Sequence, residues 1–197
     1  MATPPNAKHR LGPGSALVLD VSRLGRRPGS MQTVRQAVAS PARIGLDLIA
    51  IDKGARIDLD LRLESVSEGV LVSGTVSAPT RGECSRCLQP ITGAVEIELT
   101  ELFAYPDSVT ESTTEDDEVG RVIDHTVNLE QPIVDAVGLA LPFVPRCSAD
   151  CPGLCPQCGI ALASADPGHQ HEQIDPRWAK LAGLVLNDRD EPEGQPS

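Results

Sequence analysis

The fold is decided by the stretch Ile57-Asp58-Leu59-Asp60-Leu61-Arg62-Leu63-Glu64, in which every second residue is apolar and its neighbours are charged. Strict alternation indicates a β-strand with one buried face and one solvated face. Ser67-Glu68-Gly69 then supplies a turn, and a second apolar run returns from Val70 to Val76. The two runs predict an antiparallel hairpin.

Further elements extend this hairpin into an α+β fold. A third strand is predicted from Val95 to Thr100, where apolar residues alternate with Glu and Thr. Shorter strands are predicted at 16–21 and 44–49, and helices near 129–141 and over 175–186. The first helix has Asn128 as its N-cap, and the second begins at Asp175-Pro176 and carries Trp178. The prediction is an antiparallel β-sheet core with one or two helices.

Composition divides the chain into segments. They are a disordered arm at 1–14, a β-rich core at 15–145, a Cys/His zinc-binding segment at 146–174, the helix at 175–186 and a disordered acidic tail at 187–197. Within the core, residues 107–118 hold six acidic residues and no basic one. Such a run is typical of a solvated loop, and adjacent carboxylates alone do not make a catalytic site.

Composition also limits the classes of function. The 197 residues include 1 Trp, 1 Tyr and 2 Phe, too few for an extended stacking platform for single-stranded nucleic acid. No apolar run resembles a signal peptide or a membrane span, so we expect a cytoplasmic protein. In a reducing compartment, the 6 cysteines are better explained as metal ligands or redox thiols than as disulfides.

Two Cys-x-x-Cys pairs carry the strongest chemical signal. They are Cys84-Ser85-Arg86-Cys87 and Cys155-Pro156-Gln157-Cys158, the second followed by Gly159. A tight turn brings the two sulfur atoms of such a pair together, and its amides stabilise their charge. Cys-Pro-x-Cys-Gly is the pattern of a zinc knuckle, with Gly159 placed for the positive φ that the turn tends to need. Neither pair precedes an amphipathic helix, which disfavours a thioredoxin-like redox site.

Tetrahedral zinc takes four ligands, and the chain offers enough Cys and His residues for two such sites. The predicted ligands of the C-terminal site are Cys155, Cys158, His169 and His171. Those of the second site are Cys84, Cys87, Cys147 and Cys151, which leaves only His9 and His125 over. The division into one or two sites stays open. Four protein ligands per ion leave no position for a substrate, so the prediction is about two structural Zn²⁺ ions.

The net charge of −11 hides an uneven distribution. Residues 1–43 hold seven basic residues and one acidic residue, whereas the rest of the chain is strongly acidic. Because phosphate contacts need Lys or Arg, Arg23, Arg26 and Arg27 are the candidate RNA contacts. The alternative is a solvated arm that binds nothing.

Several motifs together resemble the bacterial YceD family. They are Leu63-Glu64-Ser65-Val66, Gly69–Gly74, Glu83–Leu88, Leu139–Pro142, Cys151–Gly159 and Asp175–Trp178. The resemblance covers roughly 16–186. Many relatives end the second cysteine group with Cys-x-Cys where this chain has His169-x-His171, an exchange that preserves a tetrahedral site. Other relatives lack the second pair but keep ligand-type residues at Cys147 and Cys151, which supports pairing these two with Cys84 and Cys87.

The resemblance implies a non-catalytic, zinc-binding factor that supports large-subunit ribosomal RNA accumulation and ribosome biogenesis. Its expected partners are that RNA or its precursor, ribosomal proteins, or both. A second hypothesis is an adaptor whose acidic body docks on a basic ribosomal protein without touching RNA. An RNA-processing enzyme is disfavoured because the sequence has no nucleophile–base pair, phosphate loop or metal-binding carboxylate set, and no catalytic residue is predicted.

Overall fold

The structure is a computed structural model that describes residues 16–115, 118–171 and Arg177. The chain divides into two compact units, Met1–Pro152 and Gly153–Ser197. The predicted arm at 1–14, the predicted helix at 175–186 apart from Arg177, and the predicted tail at 187–197 lie outside the described residues.

Most of the first unit is antiparallel β-sheet. In the described residues the strands are β1 (Val18–Asp20), β2 (Met31–Ala39), β3 (Ile44–Gly45), β4 (Ile49–Ile51), β5 (Arg56–Ser65), β6 (Gly69–Glu83), β7 (Pro90–Ala104), β8 (Gly120–Arg121) and β9 (Thr126–Asn128). The helices are α1 (Val109–Thr113) and α2 (Glu130–Ala140), and the second unit contains a 3-10 turn at Leu162–Ser164. The predicted α+β class, a sheet with two helices, is confirmed.

The longest strand pair, β6 with β7, forms the middle of the sheet. One edge of β6 pairs along its whole length with β7, from Gly69 opposite Ala104 to Glu83 opposite Pro90. Its other edge pairs first with β5 and then with β4. Beyond these neighbours, β2 pairs with β5, β3 with β4, and β8 runs parallel to the end of β7. The turn at the end of β6 is therefore held by extensive backbone pairing.

One face of this sheet is apolar and buried. The inward residues of β5 to β7 are Ile57, Leu59, Leu61, Leu63, Val70, Val72, Val76, Val95, Ile97 and Leu99, each at most 7% exposed. Burial of each such aliphatic side chain contributes about 1.5–3 kcal/mol. The alternation that predicted the hairpin is thus confirmed.

Besides the sheet, helix α2 and a two-stranded ribbon contribute buried residues to the first unit. Ile133 and Val137 are the buried residues of α2, which contacts β7 and β3. The predicted N-cap, Asn128, lies one residue before the observed one: Leu129 is the N-cap and makes no side-chain cap hydrogen bond, while Asn128 accepts from the Glu130 N–H at 2.9 Å. Strands β1 and β9 form the two-stranded ribbon, with Leu19 opposite Val127. No helix in the described part of the chain has the length and apolar character needed to cross a membrane.

Three features differ from the sequence prediction. Strand β2 was not predicted, because its residues do not alternate between polar and apolar. The predicted strand at 44–49 is instead two short strands, β3 and β4, joined by a turn. The predicted loop at 107–118 contains the one-turn helix α1, whose first turn is capped by Ser108: its hydroxyl accepts from the Glu111 N–H at 3.1 Å.

Two glycine-to-alanine changes should affect stability in opposite directions. Gly74 has φ +143° in the middle of β6, and an added Cβ would lie 2.2 Å from the Asp60 carbonyl oxygen. We expect Gly74→Ala to lower the free energy of unfolding by about 2 kcal/mol. Gly138 lies in α2 with open space around an added Cβ, so Gly138→Ala should raise it by about 0.5–1 kcal/mol. Urea unfolding measures the free energy of unfolding of both variants. Equal changes would contradict the backbone conformations described at Gly74 and Gly138.

Candidate metal centres

A tight turn between β6 and β7 carries the first cysteine pair. Cys84 directly follows β6, and Cys87 lies just before β7. The Cys84 N–H donates to the Gln89 carbonyl at 2.8 Å, and the Leu88 N–H donates to the Cys84 carbonyl at 2.9 Å. Because the turn closes two long paired strands, both sulfur atoms have fixed positions relative to the sheet.

The second cysteine pair has the same backbone pattern. The Cys155 N–H donates to the Ile160 carbonyl at 2.8 Å, and the Gly159 N–H donates to the Cys155 carbonyl at 2.9 Å. Gly159 has the predicted positive φ, +73°. The equivalent position in the first turn is Leu88, with φ +58°. Non-glycine residues are uncommon there, so the sequence alone gave little sign that the first turn is a knuckle of the same kind.

The segment after α2 is hydrogen-bonded to the first turn. The Ser85 N–H donates to the Pro145 carbonyl at 2.9 Å. The Arg86 guanidinium donates through Nη1 to the Cys151 carbonyl at 2.7 Å. These two contacts place Cys147 and Cys151 beside the cysteine pair of the turn. Sequence reasoning missed Arg86, since only the fold brings it to Cys151.

The first group consists of four sulfur atoms within 4.8 Å of one another, from Cys84, Cys87, Cys147 and Cys151. Cys84 Sγ lies 3.8 Å from Cys151 Sγ, and Cys87 Sγ lies 3.6 Å from Cys147 Sγ. All four are free cysteines, and all except Cys147 are buried. Residues about sixty positions apart thus meet at one point.

The pKa values of Cys84 and Cys147 shift in opposite directions. Backbone N–H groups of Cys147 and Cys87 lower the pKa of Cys84 to about 6. The pKa of Cys147 is raised: its hydrogen bond with Cys151 lowers it, but the Cys87 thiol and burial outweigh this effect. An ionised sulfur therefore makes ionisation of its neighbours harder, and a bound cation would favour full deprotonation of the group.

The second group consists of Cys155, Cys158, His169 and His171, whose ligand atoms also lie within 4.8 Å of one another. Cys158 Sγ is 3.4 Å from His169 Nε2 and 3.2 Å from His171 Nε2. The two Nε2 atoms are 3.0 Å apart. Backbone N–H groups of Cys158 and Gln157 lower the pKa of Cys155 to about 6.

Both groups fit a tetrahedral metal ion. With Zn–S bonds of about 2.3 Å, two thiolates on one zinc lie ~3.8 Å apart, close to the 3.6 and 3.8 Å found in the first group. Thiolate and imidazole donors suit zinc and other soft or borderline metals rather than magnesium or calcium. The two groups contain the same eight residues, divided in the same way, as the two predicted ligand sets. Each group could hold a metal ion.

The three candidate RNA-contacting arginines belong to neither group. Arg23, Arg26 and Arg27 are exposed in the loop between β1 and β2. The Arg26 guanidinium carbon lies over the Tyr105 ring, 4.8 Å from its centroid. Sequence reasoning did not connect Tyr105 with this loop, because the contact joins residues far apart in the chain.

Together these features define a small α+β protein that carries two preformed Cys/His groups able to hold metal. Residues 72–185 match the family model described as "Large ribosomal RNA subunit accumulation protein YceD". The chain belongs to the YceD family, as the motifs in its sequence predicted. The family description associates its members with large ribosomal RNA accumulation.

Mycobacterial relatives are similar over nearly the whole chain. Uncharacterized proteins of Mycobacterium bovis and Mycobacterium tuberculosis are each 66% identical over 181 residues, which is 92% of this chain and 87% of theirs. An uncharacterized protein of Mycobacterium leprae is 56% identical over 174 residues, which is 88% of this chain and 80% of that protein. No solved structure shows significant similarity.

Truncation of Arg86 should weaken metal binding in the first group alone. Because Arg86 fixes the backbone at Cys151, Arg86→Ala should lower zinc affinity there by about tenfold, the usual effect of losing a residue that orients a ligand. Gln157 holds the equivalent place in the second turn, is exposed, and serves as the matched control. Competition with a chromogenic chelator measures the zinc affinity of Arg86→Ala and of the control Gln157→Ala. Equal zinc release from wild type and Arg86→Ala would contradict an orienting role for Arg86.

Proposed function

We propose that both groups are structural zinc sites in a non-catalytic factor that supports large-subunit ribosomal RNA accumulation. The observation that carries the proposal is the convergence of Cys84 and Cys87 with Cys147 and Cys151, in a chain of the YceD family. Four thiolates suit zinc, and four protein ligands leave no position for a substrate or an activated water. A structural role follows from that coordination.

The first zinc site would connect the sheet to the segment that follows α2. The chain between Cys87 and Cys147 forms a long loop, and closing such a loop costs entropy that a bound ion offsets. Structural zinc contributes on the order of 10 kcal/mol, comparable with a typical domain stability of about 5–15 kcal/mol. Loss of this ion should therefore loosen the sheet and α2 together.

The second zinc site would act locally. Its ligands lie between Cys155 and His171, and its knuckle is closed by hydrogen bonds within the second unit, among them the Leu162 N–H to the Gly153 carbonyl at 2.9 Å. The ion would order this short segment, which has little apolar core of its own. The segment would then present a rigid surface to a partner.

The proposed partners are large-subunit ribosomal RNA or its precursor in the cytoplasm, contacted through Arg23, Arg26 and Arg27. An adaptor function is the second candidate. It is favoured by the solvated face of the sheet, where Glu96 and Glu98 are exposed on β7, and by the net charge of −11. A basic ribosomal protein would be attracted to that face.

Protein purified without chelator should contain about two zinc ions per chain. Cys155→Ser/Cys158→Ser should keep about one ion and an intact sheet, whereas Cys84→Ser/Cys87→Ser should lose one ion and lower the melting temperature of the sheet markedly. Elemental analysis and thermal unfolding monitored by circular dichroism measure these effects. Equal melting of the two variants, each with one ion, would show that the ligands are divided differently.

A cellular complementation experiment tests the function itself. In cells lacking the protein, the ratio of large-subunit to small-subunit ribosomal RNA should fall, and the wild-type gene should restore it. Cys84→Ser/Cys87→Ser should restore it poorly even when its expression is matched. A normal ratio in the deleted strain, during rapid growth and in the cold, would overturn the proposed function.

A further inference from the structure

A groove next to the loop between β1 and β2 lies in the first unit, and none of its lining residues belongs to a metal group. Its cavity has a volume of about 520 Å³, within the usual range for a small-ligand site. Residues that line it include Gly25, Arg26, Tyr105, Val122 and His125. Three separate stretches of chain therefore meet to form its walls.

Tyr105 is a fixed support at the base of this groove. Its hydroxyl is 2.8 Å from the Ser65 hydroxyl and donates to the Gly25 carbonyl at 3.4 Å. Arg26 lies over its ring, 4.8 Å from guanidinium carbon to centroid, while the arginine itself stays exposed. The ring thus holds the guanidinium beside it while the arginine stays accessible to solvent. Arginine guanidinium planes stack on unpaired RNA bases.

A strained turn places His125 at the rim of the groove. Asp124 and His125 have φ +50° and +58°, and Ile123 and Thr126 close the turn with reciprocal backbone hydrogen bonds of 3.0 and 2.8 Å. Two-residue hairpins of this kind favour Asn-Gly or Asp-Gly, because glycine takes positive φ without strain. Asp-Gly would make the same turn with less strain. The strained backbone at His125 therefore points to a function of its imidazole.

The loop beside the groove supplies positive charge that a polyanion could contact. Arg23 and Arg27 flank Arg26 in the same exposed loop. The acidic residues nearby are Asp124, which lines the groove, and Asp20, whose pKa is lowered by hydrogen bonds from Ser22 and by Arg23 and His125. Arg26 and Asp124 are the charged residues of the lining, and Arg23 and Arg27 add positive charge on the loop side of the groove.

We propose that this groove binds one nucleotide of single-stranded RNA. The base stacks on the Arg26 guanidinium and contacts His125, and the flanking phosphates lie beside Arg23 and Arg27. The inference deepens the proposed function, since it names the RNA-contacting site of that factor. A single-nucleotide site needs no series of exposed aromatic residues, which this chain lacks.

Fluorescence anisotropy with a labelled single-stranded RNA of about twelve nucleotides, in zinc-loaded full-length protein, tests the inference. Arg26→Lys keeps the charge but removes the planar face, and His125→Gly removes the imidazole while relieving the turn. Each should weaken binding by about tenfold. Neither should lower the melting temperature by more than a few degrees, and His125→Gly should leave it unchanged or raise it. Lys53→Ala, an exposed cation in the β4–β5 turn, is the control and should bind as wild type.

Salt dependence separates stacking from phosphate contact. Arg26→Lys should leave the slope of log affinity against log salt unchanged, whereas Arg23→Ala/Arg27→Ala should reduce it by about 0.7 per lost contact. If the wild type binds RNA tightly and neither Arg26→Lys nor His125→Gly weakens that binding, the proposed nucleotide site is wrong. The proposed function would be unaffected by this result. Equal affinity for a duplex RNA of the same length, or no RNA binding at all, would also overturn it. The complementation experiment tests the proposed function separately, through the ratio of large-subunit to small-subunit ribosomal RNA.

Discussion

The contact among four cysteine sulfur atoms constrains this structure more than any other feature. Cys84 and Cys87 come from the end of β6, and Cys147 and Cys151 come from the chain after α2. Mutually touching thiols repel one another as they ionise, so an ordered, fully deprotonated group depends on a shared cation. With such a cation, the central turn of the sheet and the end of the helical segment are held at one point. The hydrogen bonds made by Ser85 and Arg86 also connect the turn to this segment.

The two knuckles have the same local geometry but different consequences. Both close with equivalent backbone hydrogen bonds after a Cys-x-x-Cys pair. The first belongs to a long strand pair and takes its remaining ligands from a distant segment, whereas the second finds its ligands within a few turns of chain. The same chemistry can therefore stabilise a whole domain in one place and a short segment in another.

Much of the fold follows from residue patterns, and what was missed has physical causes. The alternation from Ile57 to Glu64 predicted β5 because its inner side chains lie fully in the core. Strand β2 pairs with β5 at the edge of the sheet, where Val34 and Val38 are only partly buried and Gln32 and Gln36 occupy the intervening inward positions. Because the inward face of this edge strand is only partly covered, its inward positions need not all be apolar. Its sequence therefore lacks the alternation of polar and apolar residues.

The candidate sites were also only partly predictable from residue patterns. The ligand types and the local His-x-His spacing pointed to the second group, while the first group required elimination and family resemblance because its halves meet only in the fold. The groove at Arg26 could not be predicted, since Tyr105 and His125 reach it from other strands and turns. Single residues with unusual backbone angles, Leu88 and His125, gave no signal in the sequence.

The central claim, that the two groups bind zinc through sulfur and imidazole nitrogen alone, can be tested by zinc X-ray absorption spectroscopy on the purified protein. The account predicts a four-coordinate average shell with about three sulfur ligands at ~2.3 Å and one nitrogen ligand at ~2.0–2.1 Å per zinc, since one site has four thiolates and the other has two thiolates and two imidazoles. A shell dominated by oxygen or nitrogen, or one with a coordinated water, would contradict it.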